Sequence, residues 1–356
     1  MNWLLLFVPV AVGLEHFAPE RHLLIFLVSS LAILPLAAWM GRATEHLAER
    51  LGEGPGGLLN ATFGNAAELI IAIAAMRAGL HDVVKASIAG SIVGNILLVL
   101  GAAMLAGGII HREQRFNATG ARAQAVMLTL AAIALILPAA YRSAVGAGAA
   151  QALVLLSVSI SIVLLLVYGL YLAFTLVTHS SLFLGSHAPA DEKAHSPPWP
   201  APRAALVLGA ATAVIAWMSE ILVGSIQPTA RAFGLSSTFV GVFVVAILGN
   251  AAEHATAVTA AMKGRMDLSL SIAIGSSVQV ALFVAPVLML VSLVLGPAPM
   301  DLAFPAGLVL IMLLSVLITG QVAGDGRSDW LKGIQLLAVY VVLGLTFFFL
   351  PDTAPR

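Results

Sequence analysis

Ten stretches of this chain stay apolar for about 20 residues or more, the length a helix needs to cross a hydrocarbon core. They lie near 22–42, 57–77, 83–110, 120–140, 150–178, 203–225, 238–262, 268–295, 303–322 and 330–350, with short polar breaks between them. Backbone in lipid must satisfy its own hydrogen bonds, so such segments fold as helices. Composition agrees: 60% of the 356 residues are hydrophobic and 10% charged, against about 25% charged in a soluble domain. The chain reads as an all-α polytopic membrane protein whose surroundings are the lipid bilayer. A shorter run at 3–14, cut off by Glu15, His16, Glu20 and Arg21, adds an eleventh segment or, alternatively, an interfacial helix. The opening Met1-Asn2-Trp3-Leu4 carries no positive leader, so no cleaved signal peptide is expected.

Several function classes drop out at once. The formal net charge is zero, which implies no acidic or basic partner and no nucleic acid. Cysteine is absent, so disulfides, zinc–thiolate sites and cysteine nucleophiles are excluded. Neither His-Glu-x-x-His nor Gly-x-Ser-x-Gly occurs, which argues against an enzyme.

With eleven spans, eleven Lys and Arg (among them Arg42, Arg50, Arg112, Arg115, Arg122 and Lys332) fall on the side of the N-terminus, and six on the other. The positive-inside rule then places the N-terminus in the cytoplasm and the C-terminus outside, in a plasma membrane of bacterial inner-membrane type. The loop around 186–203 holds five prolines and does not form a long helix. It divides the chain into an N-terminal helix (1–20), a five-helix unit (21–185), a cytoplasmic linker (186–202) and a second five-helix unit (203–356).

The two units repeat. Gly64-Asn65-Ala66-Ala67-Glu68 recurs as Gly249-Asn250-Ala251-Ala252-Glu253, at an offset of 185 residues. At the same offset Gly56 pairs with Gly241, Gly79 with Gly264, Asp82 with Asp267, Gly90 with Gly275 and Ser91 with Ser276. Thr44-Glu45 matches Ser219-Glu220 with about ten extra residues in the second half. Five helices separate corresponding segments, and five is odd, so the second copy crosses the membrane in the opposite sense. Inverted repeats with glycine-interrupted helices in matching positions point to a secondary transporter with its site at mid-membrane.

A charge at the bilayer centre costs at least about 2.5–3.5 kcal/mol, so Glu68 and Glu253 invite a functional reading. Desolvation and a neighbouring carboxylate both favour the protonated form of a carboxyl group, whereas a divalent cation between two carboxylates reverses the balance. Cation and protons then compete for one site, the minimum requirement of antiport. The neighbours are hard oxygen donors that suit calcium. Asn65 and Glu68, like Asn250 and Glu253, share a helix face at i, i+3. Gly64 and Gly249 permit a helix break. Ser91 and Asn95 follow in "GSIVGN", and Ser276, Ser277 and Gln279 in "GSSVQV". Plainer readings stand beside these: the asparagines as caps of half-helices, Ser277 as a packing residue, and His254, whose repeat partner is Leu69, as an interior histidine or a proton carrier. Glu45 and Glu220 read as vestibule acids that give ions or protons access.

At "GNAAELI" (64–70), "GNAAEH" (249–254), "SIVGNILLVLG" (91–101) and "GSSVQVALF" (275–283) the sequence resembles the cation/proton exchanger branch of the calcium/cation antiporter superfamily. The resemblance covers nearly the whole chain from the second helix onward. It implies one helix followed by two inverted bundles of five, and exchange of cytosolic calcium for protons, both as substrates, with no cofactor. It further implies that Glu68 and Glu253 bind the ion, with Asn65, Asn250, Ser91, Ser276 and Gln279 nearby. An acidic helix often joins the halves in that family; here the linker offers only Asp191 and Glu192. A sodium/calcium exchanger of the same fold, or a passive cation channel, are the alternatives.

Overall fold

The computed structural model describes residues 2–51, 53–146, 148, 150–179 and 199–349. Asp191, Glu192 and most of the expected linker lie outside the described residues. The helices are α1 (Asn2–Phe17), α2 (His22–Leu51), α3 (Glu53–Phe63), α4 (Ala66–Arg77), α5 (His81–His111), α6 (Ala118–Val145) and α7 (Ala150–Thr178). After the linker come α8 (Ala201–Ala232), α9 (237–262), α10 (Met266–Val291), α11 (Ala306–Gly324) and α12 (Trp330–Phe348). Two three-residue strands, β1 (Glu113–Arg115) and β2 (Arg327–Asp329), pair antiparallel and tie the α5–α6 loop to the α11–α12 loop.

Among the described residues, eight helices are long and apolar enough to cross a membrane, and nine if the bent α9 counts as one span. A count of eleven needs two more: α1, a shorter apolar helix, and the α3–α4 pair, broken at Gly64-Asn65. The break needs no proline. Gly64 and Asn65 form a turn, with Asn65 at φ −98°, ψ 17°, outside the helical well. In α9 the axis instead turns by 68° between Val240–Ala251 and Glu253–Met262.

The architecture is organised around α5 and α10. In each, 72% of the most apolar window is buried, against 22% in α12 and 28% in α7, which face outward. Both central helices carry a π-helical turn, Gly94–Val99 in α5 and Val280–Val284 in α10, at nearly the repeat offset. Single π turns concentrate at functional sites because they re-aim side chains within an otherwise regular helix.

Two contacts establish the inversion. Lys85, near the start of α5, reaches Asp301, beyond the end of α10, at 2.6 Å. His111, at the end of α5, reaches the Met262 carbonyl, just before α10 begins, at 2.9 Å. Helices matched in sequence thus run in opposite directions. The repeat extends to α2 and α8, which pack along each other. There the fully buried Thr44 and Ser219 hydroxyls both bond back to their own helix, to Met40 O at 2.9 Å and Ile215 O at 2.7 Å.

Candidate functional site

The halves meet where α4, α5, α9 and α10 converge, and hydrogen bonds cross from one repeat to the other. Asn250 of α9 donates its amide to the Glu68 carboxylate of α4 and to Ser91 Oγ of α5 at 3.1 Å. Ser91 Oγ itself donates to Glu68 Oε1 at 2.6 Å. The second repeat supplies the mirror set. Ser276 Oγ donates to Asn65 Oδ1 at 3.2 Å, and Ser276 is also hydrogen-bonded to Glu253. Asn65 Nδ2 donates to Gln279 Oε1 at 2.6 Å.

Neither asparagine side chain makes a capping bond, although Asn65 occupies the N-cap position of α4. Asn65 precedes α4 without a side-chain cap bond, and Asn250 lies inside α9, where its amide also donates to Ala246 O at 2.9 Å. Both are buried, 2% and 3% exposed, and both also hydrogen-bond across the interface. The glycines permit the approach. A Cβ on Gly249 would sit 3.1 Å from Glu68 Cγ, and one on Gly64 would sit 2.9 Å from Asn60 O and 3.7 Å from Glu253 Oε1. Each repeat's glycine therefore faces the other repeat's glutamate.

Glu68 Oε2 and Glu253 Oε2 are buried with no hydrogen-bond partner among the described residues. A buried charge without a partner costs several kcal/mol, so each carboxylate requires a proton or a cation. Among the described residues no three His, Asp or Glu side chains converge. The side chains hydrogen-bonded around the two carboxyl groups carry amide and hydroxyl oxygens, hard donors of the kind that could hold calcium in a shell of about six to eight.

His254 joins the network at one remove. Its Nε2 lies 3.1 Å from Asn95 Oδ1, and Asn95 Nδ2 donates to Ser276 Oγ at 3.2 Å. Asn95 sits in the π turn of α5, and its sequence signal is its spacing of four from Ser91. Ser277 takes the packing role: its hydroxyl bonds Ala273 O of its own helix at 3.0 Å and Ile92 O of α5 at 3.4 Å. Glu45 and Glu220 do not reach the site. Glu45 is exposed on α2, and Glu220 forms a surface ion pair with Arg77 at 2.9 Å. Sequence reading also passed over Gln124, a buried residue of α6 against which a Cβ on Gly275 would rest at 3.7 Å.

Paired carboxylates between inverted helical repeats, buried in an integral membrane protein, define an ion transporter and not an enzyme. The chain belongs to the sodium/calcium exchanger protein family, which it matches over residues 21–177 and 203–349. It is 46% identical over 359 residues to a Ca(2+)/H(+) antiporter of Aphanothece halophytica, covering 98% of this chain and 96% of that one. It is 44% identical over 327 residues to the Ca(2+)/H(+) antiporter ChaA of Bacillus subtilis, covering 92% of each. The solved structure of native YfkE superposes with a TM-score of 0.82 at 39% identity, over 96% of this chain and 97% of that one. Within the family the chain falls with the cation/proton exchangers that its motifs resemble.

Proposed function

We propose that this protein is a secondary antiporter of the plasma membrane that moves Ca2+ out of the cytosol in exchange for protons. Glu68 and Glu253 hold Ca2+ or H+ in competition, and Asn65, Asn250, Ser91, Ser276 and Gln279 complete the oxygen shell. The observation that carries this reading is the pair of buried, unpartnered Oε2 atoms, one from each repeat. Two such oxygens need about two positive charges, which two protons or one divalent cation supply equally. His254 and Asn95 form the route by which a proton reaches or leaves the set. Glu45 and Glu220 serve ion access at the surface.

Alternating access is supported by an asymmetry between the repeats. The first half of α9 is closed on α5: a Cβ on Gly90 would lie 2.2 Å from Val242 O, and one on Gly241 2.6 Å from Ala86 Cβ. The equivalent glycines make no such pair among the described residues. Gly56 of α3 abuts Ala48 O of α2, and Gly275 of α10 meets only Gln124. In the arrangement inferred from the charge split, α3 is the cytoplasmic half of its span, so this is an inward-open state. The units 21–185 and 203–356 are the bundles that rock against each other, with 186–202 joining them in the cytoplasm.

Calcium uptake into vesicles of the reconstituted protein under an imposed pH gradient tests the proposal. Uptake that needs the pH gradient and persists without sodium supports it. Uptake that requires a sodium gradient favours sodium/calcium exchange, and flux that never exceeds equilibrium favours a channel.

A further inference from the structure

The repeat makes Glu68 and Glu253 equivalent, yet their surroundings differ on one side. A cavity adjoins Glu68 toward the His81 end of α5, lined by Ser87 and Ser91 of α5, Ile71 of α4, and Val245, Ala246 and Gly249 of α9. It offers about 20 Å³ to the centres of water molecules, and one ordered water needs roughly 10–15 Å³ with two to four polar partners. Ser87, Ser91 and Glu68 provide three. Ser87 and Ser91 are four apart, one turn up the same face of α5, and Glu68, whose Oε2 is unpartnered, lines the same cavity.

The Ser87 hydroxyl donates to Val84 O of its own helix at 2.9 Å, which leaves its oxygen free to accept, and the repeat does not account for Ser87. Its partner at the 185-residue offset is Ile272, which has no oxygen, while Ile71 corresponds to Thr256, an exposed residue on the other side. The two approaches to the carboxylates are therefore not copies. On the His81 side the central helix α5 supplies a hydroxyl, and the matching position of α10 has none.

We propose that this cavity is the hydration seat of the transported divalent cation on the His81 side of the membrane. Calcium fills a shell of about six to eight oxygens and commonly keeps waters in it. With calcium between the carboxylates, a water held by Ser87 completes the shell on this face alone. Ser87 thereby sets the affinity for cation exchanged with that side and leaves the affinity from the other side unchanged. This rests on the antiport reading and deepens it.

The test is the half-saturating calcium concentration, measured from each side separately in vesicles of the full-length protein. The comparison is wild type against Ser87→Ala, Ser87→Cys and Ser87→Thr. The two variants without a hydroxyl should need about three- to tenfold more calcium on the His81 side, the worth of one hydrogen bond. They should change by less than about twofold on the other side, and Ser87→Thr should match wild type. An equal shift on both sides, or no shift on either, overturns the proposal; the cysteine variant decides if alanine fails to insert. A wild type without pH-driven calcium uptake overturns the antiport reading itself. An active wild type with indifferent Ser87 variants overturns only this inference.

Discussion

The Glu68 carboxylate is held by the amide of Asn250, a residue 182 positions away in the opposite repeat. This bond joins the two repeats at a buried carboxyl group. Replacing Asn250 by alanine removes a charge-assisted hydrogen bond worth about 1.5–3 kcal/mol, and Asn65→Ala removes the mirror bonds to Ser276 and Gln279. Each variant should lower the rate of calcium transport by about tenfold or more, read as initial uptake per mole of inserted protein. Wild-type rates would show that the asparagines only fill space.

The glycine contacts give a prediction with two readouts. A side chain on Gly90 would collide with the Val242 backbone at 2.2 Å, whereas one on Gly275 finds open contact at 3.7 Å. Gly90→Ala should lower the melting temperature of this state in detergent, and Gly275→Ala should leave it nearly unchanged. Both should slow transport under the proposed alternating access, in which the repeats exchange these environments. Equal melting temperatures for the two variants would remove the structural basis of the asymmetry.

Lys85 is 5% exposed and sits in a membrane helix, neutralised by Asp301 at 2.6 Å and bonded to Ala303 O at 3.0 Å. Asp301→Asn keeps an acceptor but strands the ammonium. It should destabilise the protein by about 3 kcal/mol, at the low end for a broken buried pair because the Asp301 side chain retains 22% exposure. Lys85→Met in the same chain should restore most of the lost thermal stability. A double variant no better than the single one would show that the pair is not the reason.

These contacts also mark what sequence could and could not deliver. The Gly-Asn-Ala-Ala-Glu repeat singled out Glu68 and Glu253, which the fold brings to the meeting point of the two repeats, because a glutamate in an apolar helix has few bland explanations. The apolar segments were legible because their length is set by the bilayer, but their ends were not. The helices begun at His22 and Ala201 run on through polar residues to Leu51 and Ala232, and the 57–77 segment breaks at Gly64-Asn65. The pairing was harder to see. Asn65 and Glu68 share a face, which suggests partnership within a repeat, yet Asn65 bonds Ser276 and Gln279, and Asn250 bonds Glu68. That choice depends on how two inverted bundles dock, and spacing along one helix carries no information about it. The π turns at 94–99 and 280–284 were equally hidden, since an inserted residue leaves no trace in a uniformly apolar run. Lys85 and Asp301 lie 216 residues apart, with Asp301 in a loop, so neither advertised the other.

The proposed sidedness rests on the charge split alone and can be tested by labelling. A cysteine introduced at Ser186 should react with a membrane-impermeant thiol reagent only when the cytoplasmic face is exposed. The native chain has no cysteine to interfere. Labelling of intact cells from outside would reverse the orientation, and with it the inward-open reading of α3.

Glu68→Gln and Glu253→Gln each keep the shape and an oxygen while removing one charge and one exchangeable proton. Asp191→Asn combined with Glu192→Gln removes the same kind of charge from the linker. The decisive measurement is calcium accumulation by reconstituted vesicles under a pH gradient, with sodium and potassium replaced by an impermeant cation. Both intramembrane glutamine variants should fail to accumulate calcium, and the linker double variant should match wild type. Accumulation against the gradient at the wild-type rate by either Glu68→Gln or Glu253→Gln, with normal insertion, would contradict antiport by paired carboxylates.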